Sequence, residues 1–310
     1  MGIRKITLVV LIVLIGFVSC NKDDDTTDPV VIEIRDRAEQ QIADNDSIVK
    51  YLETHYYNSG ELATNDNPSI QDIVITKFGT GTVPDGNTVL KEAVETKTLV
   101  YADTEYKIYI LRLNQGGGTE SPNFADVVRV RYEGFLLSHS VFDSAVTPVD
   151  FDLTTLIPAW RKVLPDFNTT ESFSDGADGT VNYMNYGLGV MFVPSGLAYF
   201  SNATTGIPSY TPISFKFELL QMTENDHDGD GVPTYLEDIN SNGELITLDQ
   251  LADDDTDEDG TPNYADVDDD GDGVLTINED INNDGDPTND DTDGDGTPNY
   301  LDTDDTASKI

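Results

Sequence analysis

The chain has 310 residues and a formal net charge of −42, from 59 acidic and 17 basic residues. About half of the acids lie beyond Glu224, where Lys309 is the only basic residue. This charge repels a phosphate backbone and no basic, aromatic cluster offsets it, so nucleic-acid binding is excluded.

Residues 1–20 read as a targeting segment. Arg4 and Lys5 form a positive start, 6–18 is an apolar run short for a bilayer span, and small Ser19 precedes Cys20. Cys20 is the only cysteine, so no intrachain disulfide exists. It stands where a bacterial lipoprotein signal carries its lipid, although Phe17 is bulkier than the usual Leu. Acylation there anchors the chain to a membrane rather than through it; a plain secretory signal with a chance cysteine is the alternative. Residues 21–45 are predicted to be a polar tether. Its start, NKDDD, is similar to the acidic export tag of surface lipoproteins and equally suits a solvated spacer.

Residues 46–99 are predicted to be a helical extension and connector. Asp46 can cap a helix that places Ile48, Val49, Leu52 and Tyr56 on one face, and Asn58-Ser59-Gly60 ends it. That helix is too short for a dimer arm, so it is expected to pack on a sheet in a monomer. The runs 73–76 and 88–90 are strand-like, with no evident role. Residues 100–113 predict one strand covered on both sides, with Tyr106, Ile108 and Ile110 opposite Tyr109, Leu111 and Leu113. A glycine-rich turn follows at 116–122. Val128, Val130 and Tyr132 then alternate with Arg129, Arg131 and Glu133. Ile213, Phe215, Phe217 and Leu219 alternate with Ser214, Lys216 and Glu218; both runs predict half-buried strands with one wet face. Between them Ile157, Trp160, Val163 and Leu164 share one face of a short helix with Pro158 in its first turn. Residues 168–186, rich in Ser, Asp, Gly and Thr, predict a surface loop. A sheet over one short helix is an α+β domain with a single core.

Seven motifs lie in order along this region: YEG (132–134), VFDS (141–144), P-x-x-F-x-L (148–153), IPAW (157–160), VPSGLAY (193–199), GIP (206–208) and FKFELL (215–220). At these residues the chain resembles the FKBP-type peptidyl-prolyl isomerases, over roughly 100–222, which sets a domain at 100–223. The resemblance implies an FKBP-like antiparallel sheet wrapped around a short helix, proline-containing polypeptide substrates and no cofactor for catalysis. It implies a pocket walled by Tyr132, Phe142, Ile157, Trp160, Tyr199 and Phe215, with Trp160 as floor and Ile207 on a flap. Asp143 matches the VFDS carboxylate; the Tyr199 hydroxyl and the Ile157 N–H match the groups that bond the ligand. A buried Asp143 would need a partner such as Tyr199. Val149 stands where the family often has a second Phe, which implies a wider pocket. Phe200 replaces a usual Gly, the flap at 201–205 is unusual, and Gly187, Leu188 and Gly189 replace a basic stretch.

Residues 224–310 change to oxygen chemistry. Asp226, Asp228, Asp230, Gly231 and Glu237 follow the calcium-loop spacing D-x-D-x-D-G-x5-E, as do Asp268, Asp270, Asp272, Gly273 and Glu279. Two further loops end in Asp: Asp255, Asp257, Asp259, Gly260 and Asp266, then Asp291, Asp293, Asp295, Gly296 and Asp302. No amphipathic helices flank them, which argues against paired EF-hands. The GTPNY repeats (260–264 and 296–300) resemble thrombospondin type 3 repeats, which implies an irregular tail organised by structural calcium. A disordered acidic tail is the alternative. Together these features predict a lipid-anchored isomerase of the bacterial outer membrane that acts on X–Pro bonds of envelope or secreted proteins. The competing class is a non-catalytic surface binding or adhesion module using the groove and the repeats.

Overall fold

The computed structural model describes residues 34–79, 81–177, 179–246 and 253–309. The targeting segment, Cys20 and most of the tether lie outside the described residues. Helix α1 (Arg37–Thr54) opens the fold, with the Asp36 side chain accepting from the Glu39 N–H at 2.9 Å. It starts well before Asp46, inside the stretch expected to be tether. Only its second half shows an apolar stripe, because its first half buries the polar Gln40, Gln41 and Asp44. It ends at Thr54, and strand β1 (His55–Tyr57) follows directly. After the short α2 (Ser59–Leu62), β2 (Ile75–Lys77) and β3 (Thr88–Val89) flank β1 in a three-stranded sheet of order β2-β1-β3. Helix α3 (Leu90–Ala93) closes this connector, whose Leu62, Ile70, Ile73 and Leu90 cover a face of the main sheet, while residues 95–98 begin the edge strand of that sheet.

The predicted strand at 100–113 is a hairpin. Strand β4 (Glu95–Tyr101) turns into β5 (Thr104–Asn114) through Ala102 and Asp103, both at positive φ (50° and 56°). No glycine marks that turn. Strands β6 (Val127–Leu136) and β7 (Val141–Asp152) follow, then α4 (Pro158–Val163) with Pro158 at its start. A second hairpin, β8 (Ser172–Asp175) with β9 (Val181–Met184), occupies the predicted surface loop. Strands β10 (Gly187–Val193) and β11 (Ile213–Thr223) complete a six-stranded antiparallel sheet of order β4-β5-β10-β11-β6-β7. This is an α+β, FKBP-like arrangement, a sheet wrapped on a short helix.

Both faces of the sheet are covered, so there are two cores rather than one. On the α4 side, Tyr106, Ile108 and Ile110 meet Val128, Val130, Trp160, Phe215 and Phe217. On the other, Tyr109, Leu111, Val190 and Phe192 meet Ile48, Tyr51 and Leu52 of α1. Period-2 alternation puts the β5 residues on opposite faces, as their pattern predicted. The face expected to be wet is therefore partly dry: Ser214 is fully buried and Glu218 nearly so. Glu218 is satisfied by the Ile70 N–H (2.9 Å) and by Arg131 (2.8 Å), as a buried carboxylate must be.

Residues 224–309 add no α-helix or strand among the described residues. They form turns punctuated by 3-10 segments such as Thr234–Leu236, Asn263–Ala265 and Asn299–Leu301. The GTPNY repeats explain themselves here. Asn263 is buried, accepts from the Thr256 N–H (2.9 Å) and donates to the Thr256 hydroxyl (2.9 Å); Asn299 does the same with Thr292. Each asparagine staples the far end of its own loop back to the start of that loop.

Candidate functional site

Strands β6, β7 and β11 and the start of α4 converge on a pocket of about 410 Å³. Its lining includes Tyr132, Phe142, Asp143, Ile157, Trp160, Tyr199, Ile207 and Phe215, eight of the nine positions expected from the motifs. Trp160 lies 4.9 Å from Phe215 and meets Tyr132 edge-on at 5.9 Å (ring centroids). Phe142 stands edge-on to Phe215 at 5.5 Å. Gly134 of the YEG motif makes this possible: a Cβ there would sit 2.5 Å from the Phe142 ring and 2.8 Å from that of Phe215.

Val149 is the ninth position, and it does not line the pocket; it is partly buried against the core. Phe151, two residues on and therefore on the same face of β7, takes the wall instead. Its ring lies 5.5 Å from Tyr132 and 6.4 Å from Trp160. The Val149 position therefore leaves no gap in the aromatic wall. The P-x-x-F-x-L motif had named this Phe, and strand periodicity could have placed it.

Asp143 is exposed, not buried, and its partner is Tyr132 rather than Tyr199. The Tyr132 hydroxyl donates to its Oδ2 at 2.6 Å, and the Ser144 N–H holds its Oδ1 at 2.9 Å. Burial, then this bond to a carboxylate, pushes the Tyr132 hydroxyl pKa well up. Burial, then the charge of Asp143, raises Tyr199. Both hydroxyls are therefore neutral donors at physiological pH. Above them Thr204 and Ile207 exchange backbone hydrogen bonds, both 3.0 Å, so the flap is a closed turn that buries Ile207.

The segment before the flap is tied to α1. The Asp44 carboxylate accepts from the Ser195 N–H (2.7 Å) and hydroxyl (2.6 Å), and from Gln40 (2.7 Å). Phe200, where glycine was expected, has φ 46° and is buried beneath the Arg37 guanidinium, 4.3 Å from the ring centroid. It lies outside the pocket lining and holds α1 to the flap.

In the tail the motif acids fall into four groups. Asp228, Asp230 and Glu237 converge and are joined by Asp269, a residue outside the motif pattern. Asp255, Asp257 and Asp259 form a second, Asp268, Asp270 and Asp272 a third, and Asp291, Asp293 and Asp295 a fourth. Asp226 is not in the first group; it accepts the Gly229 and Gly231 N–H groups at 2.8 and 3.2 Å. The final acids divide by type. Glu237 and Glu279 are fully buried with both oxygens unpartnered, whereas Asp266 and Asp302 accept the N–H two residues on, at 3.1 and 3.0 Å. Aspartate is one methylene shorter and caps its own turn instead of reaching inward.

Orphaned buried carboxylates are costly. Burial, then neighbouring carboxylates, pushes Glu237 up to about 9, Asp269 to about 10 and Glu279 to about 8. A hard divalent cation matches this set: it prefers oxygen donors, takes six to eight of them, and removes the repulsion. Calcium-type chemistry therefore fits the residues present.

The comparisons with known proteins divide along the same line. The family model described as BamM C-terminal matches residues 227–286, in the acidic tail. The FKBP-type peptidyl-prolyl cis-trans isomerase FkpA of Buchnera aphidicola is 23% identical over 49% of this chain and 54% of its own length. FkpA of Aeromonas hydrophila is 29% identical over 37% and 38%, and that of Escherichia coli K12 28% over 36% and 37%. The chain thus spans about half or less of the curated relatives it matches. Among solved structures, a Pseudomonas syringae peptidyl-prolyl isomerase is 25% identical with TM-score 0.31, covering 38% of this chain and 76% of its own. The E. coli FkpA crystal structure is 20% identical with TM-score 0.35, covering 60% and 63%. Over part of its length the chain is related to FKBP-type peptidyl-prolyl isomerases.

Proposed function

We propose that the chain is a peptidyl-prolyl cis-trans isomerase, anchored by lipid at Cys20 in the bacterial envelope and stabilised by calcium in its tail. The observation that carries the catalytic reading is the pocket, an aromatic slot over Trp160 ringed by three polar groups. An X–Pro bond crosses a barrier of about 18–20 kcal/mol as its C–N bond leaves planarity. The twisted amide has lost resonance and much of its dipole. A dry, apolar wall of Tyr132, Phe142, Phe151, Trp160 and Phe215 favours it over the planar form. No acid, base or cofactor is needed. The Tyr199 hydroxyl and the Ile157 N–H, which α4 leaves without an intrahelical partner, are the donors assigned to the substrate carbonyls. Asp143 fixes the Tyr132 ring through the 2.6 Å bond. The match with FkpA relatives supports substrates among proline-containing polypeptides.

Calcium, when bound, would supply charge neutralisation in the tail and touch no reacting atom. Asp228, Asp230, Glu237 and Asp269 would hold one ion, and the other three groups would hold theirs. The Trp160→Ala and Asp143→Ala variants test the catalytic reading, each in a folded chain beginning at Asn21. Catalysed isomerisation of an X–Pro peptide should fall at least tenfold in the first and severalfold in the second. Unchanged rates in both would reject this pocket as the site.

A further inference from the structure

Two stretches of the tail keep the start of the calcium-loop spacing with asparagine at some of its acid positions, D-x-N-x-N-G (238–243) and D-x-N-x-D-G (280–285), and they share one construction. In Asp238–Gly243, Asp238 accepts from the Asn242 N–H (3.0 Å) and the Gly243 N–H (2.7 Å), and the Asn240 side chain also accepts from Asn242 N–H (3.0 Å). Residues 280–285 repeat this: Asp280 accepts from the Asp284 N–H (3.0 Å) and the Gly285 N–H (3.1 Å), and the Asn282 side chain accepts from Asp284 N–H (2.8 Å). A distant aspartate closes each loop. Asp254 Oδ1 accepts the Asn240 N–H at 3.0 Å, and Asp290 Oδ1 accepts the Asn282 N–H at 3.2 Å. Asp254 is 6% exposed and Asp290 8%, and in both the second oxygen is buried with no hydrogen-bond partner. The bond made by Oδ1 holds that orphaned oxygen against the loop. A carboxylate so placed lacks a cation rather than a donor.

The first of these loops also grips the candidate active site. Glu244, directly after Gly243, pairs through Oε2 with Arg161 (2.5 Å) and through Oε1 with Lys162 (2.8 Å). Lys162 also donates to the Gly243 carbonyl at 2.9 Å. Gly243 has φ 74°, and a Cβ there would lie 2.9 Å from the Lys162 Nζ. Arg161 and Lys162 directly follow Trp160 in α4. The Asn242 side chain accepts the Glu244 N–H at 2.7 Å, so one loop residue joins the candidate cation site to the ion pair.

We propose that Asp238, Asn240, Asn242 and Asp254 bind a further divalent cation of calcium type, and that Glu244 transmits its occupancy to helix α4 and Trp160. Each oxygen that accepts one N–H keeps a second lone pair for the ion. Asparagine in place of two aspartates lowers the ligand charge, so this site fills at higher calcium than the four motif loops. That the clamp tunes isomerisation rests on the isomerase reading; the site and the clamp do not.

Trp160 is the only tryptophan, so its emission reports on α4 directly. The test titrates the chain from Asn21 to Ile310 with calcium chloride, counting bound ions by equilibrium dialysis and following Trp160 emission. Asp254→Asn should bind one ion fewer than the parent and lose the high-calcium emission change. Glu244→Gln, nearly isosteric, should keep the full count and lose the emission change. Asp290→Asn should keep the emission change whether or not its loop holds an ion, because among the described residues that loop makes no hydrogen bond or ion pair to α4. An unchanged count in Asp254→Asn overturns the site. An emission change kept in Glu244→Gln, or lost equally in Asp290→Asn, overturns the clamp. If Asp254→Asn does not fold, the Glu244→Gln arm still decides the coupling. None of these readouts involves turnover.

Discussion

The sheet domain and the acidic tail solve the same problem with opposite materials. The sheet buries Phe217, Phe167, Tyr106, Ile108 and Leu153 essentially completely, each apolar side chain contributing about 1.5–3 kcal/mol by leaving water. The tail buries little apolar surface, chiefly Val232, Leu245 and Tyr300, and instead encloses Asp230, Glu237, Asp269, Asp270 and Glu279. An apolar core is self-sufficient. A carboxylate core repels itself unless a cation or protons neutralise it. The two regions should therefore answer differently to every condition that changes charge, and alike to none.

Removing calcium should produce the largest divergence. Excess chelator should expand the tail in small-angle scattering while the far-ultraviolet β-sheet signal of the sheet domain remains; a tail equally compact in chelator would break the comparison. In the calcium-free chain pH should act next most strongly. Glu237, Asp269 and Glu279 are held above the usual carboxylate range, so the folded tail binds protons more tightly than the unfolded one. Their stabilising contribution is complete below about pH 4 and disappears as pH rises through about 8 to 10. The chelated tail should accordingly be most compact in acid, the reverse of ordinary acid denaturation.

Substitutions sharpen the contrast from the other side. Phe217→Ala should cost about 3–5 kcal/mol in the sheet domain by leaving a cavity, with no change in the number of calcium ions bound. Asp44→Ala should cost about 2–3 kcal/mol, since it leaves the Ser195 N–H and hydroxyl unpaired, and denaturant melts would measure both. Smallest is a pair of neighbours on β7: Phe151→Ala should weaken binding of a proline peptide severalfold, whereas Val149→Ala should change it less than twofold. Equal effects would return Val149 to the pocket wall.

The site was legible wherever a motif residue also sits on a regular element. Tyr132, Trp160 and Phe215 follow strand or helix periodicity and land together. Val149 holds the motif position, but strand alternation points Phe151 to the same face, and the larger ring takes the wall. Asp143 misled because the local sequence does not tell that the edge strand β7 leaves it in water. The start of α1 was hidden, since Gln40 and Asp44 are buried by hydrogen bonds that pattern does not encode. The β4–β5 turn was hidden because Ala102 and Asp103 reach positive φ without glycine. In the tail, spacing found the four acidic groups but not Asp269 or Asp254, whose neighbours come from other loops.

The most direct test of the account is the rate of X–Pro isomerisation by the calcium-saturated chain from Asn21 to Ile310, set against the uncatalysed reaction of tens to hundreds of seconds. Isomerisation should accelerate in proportion to protein concentration, with most of the acceleration lost in Trp160→Ala. A folded chain that leaves the uncatalysed rate unchanged would contradict it and leave a proline-binding groove without catalysis.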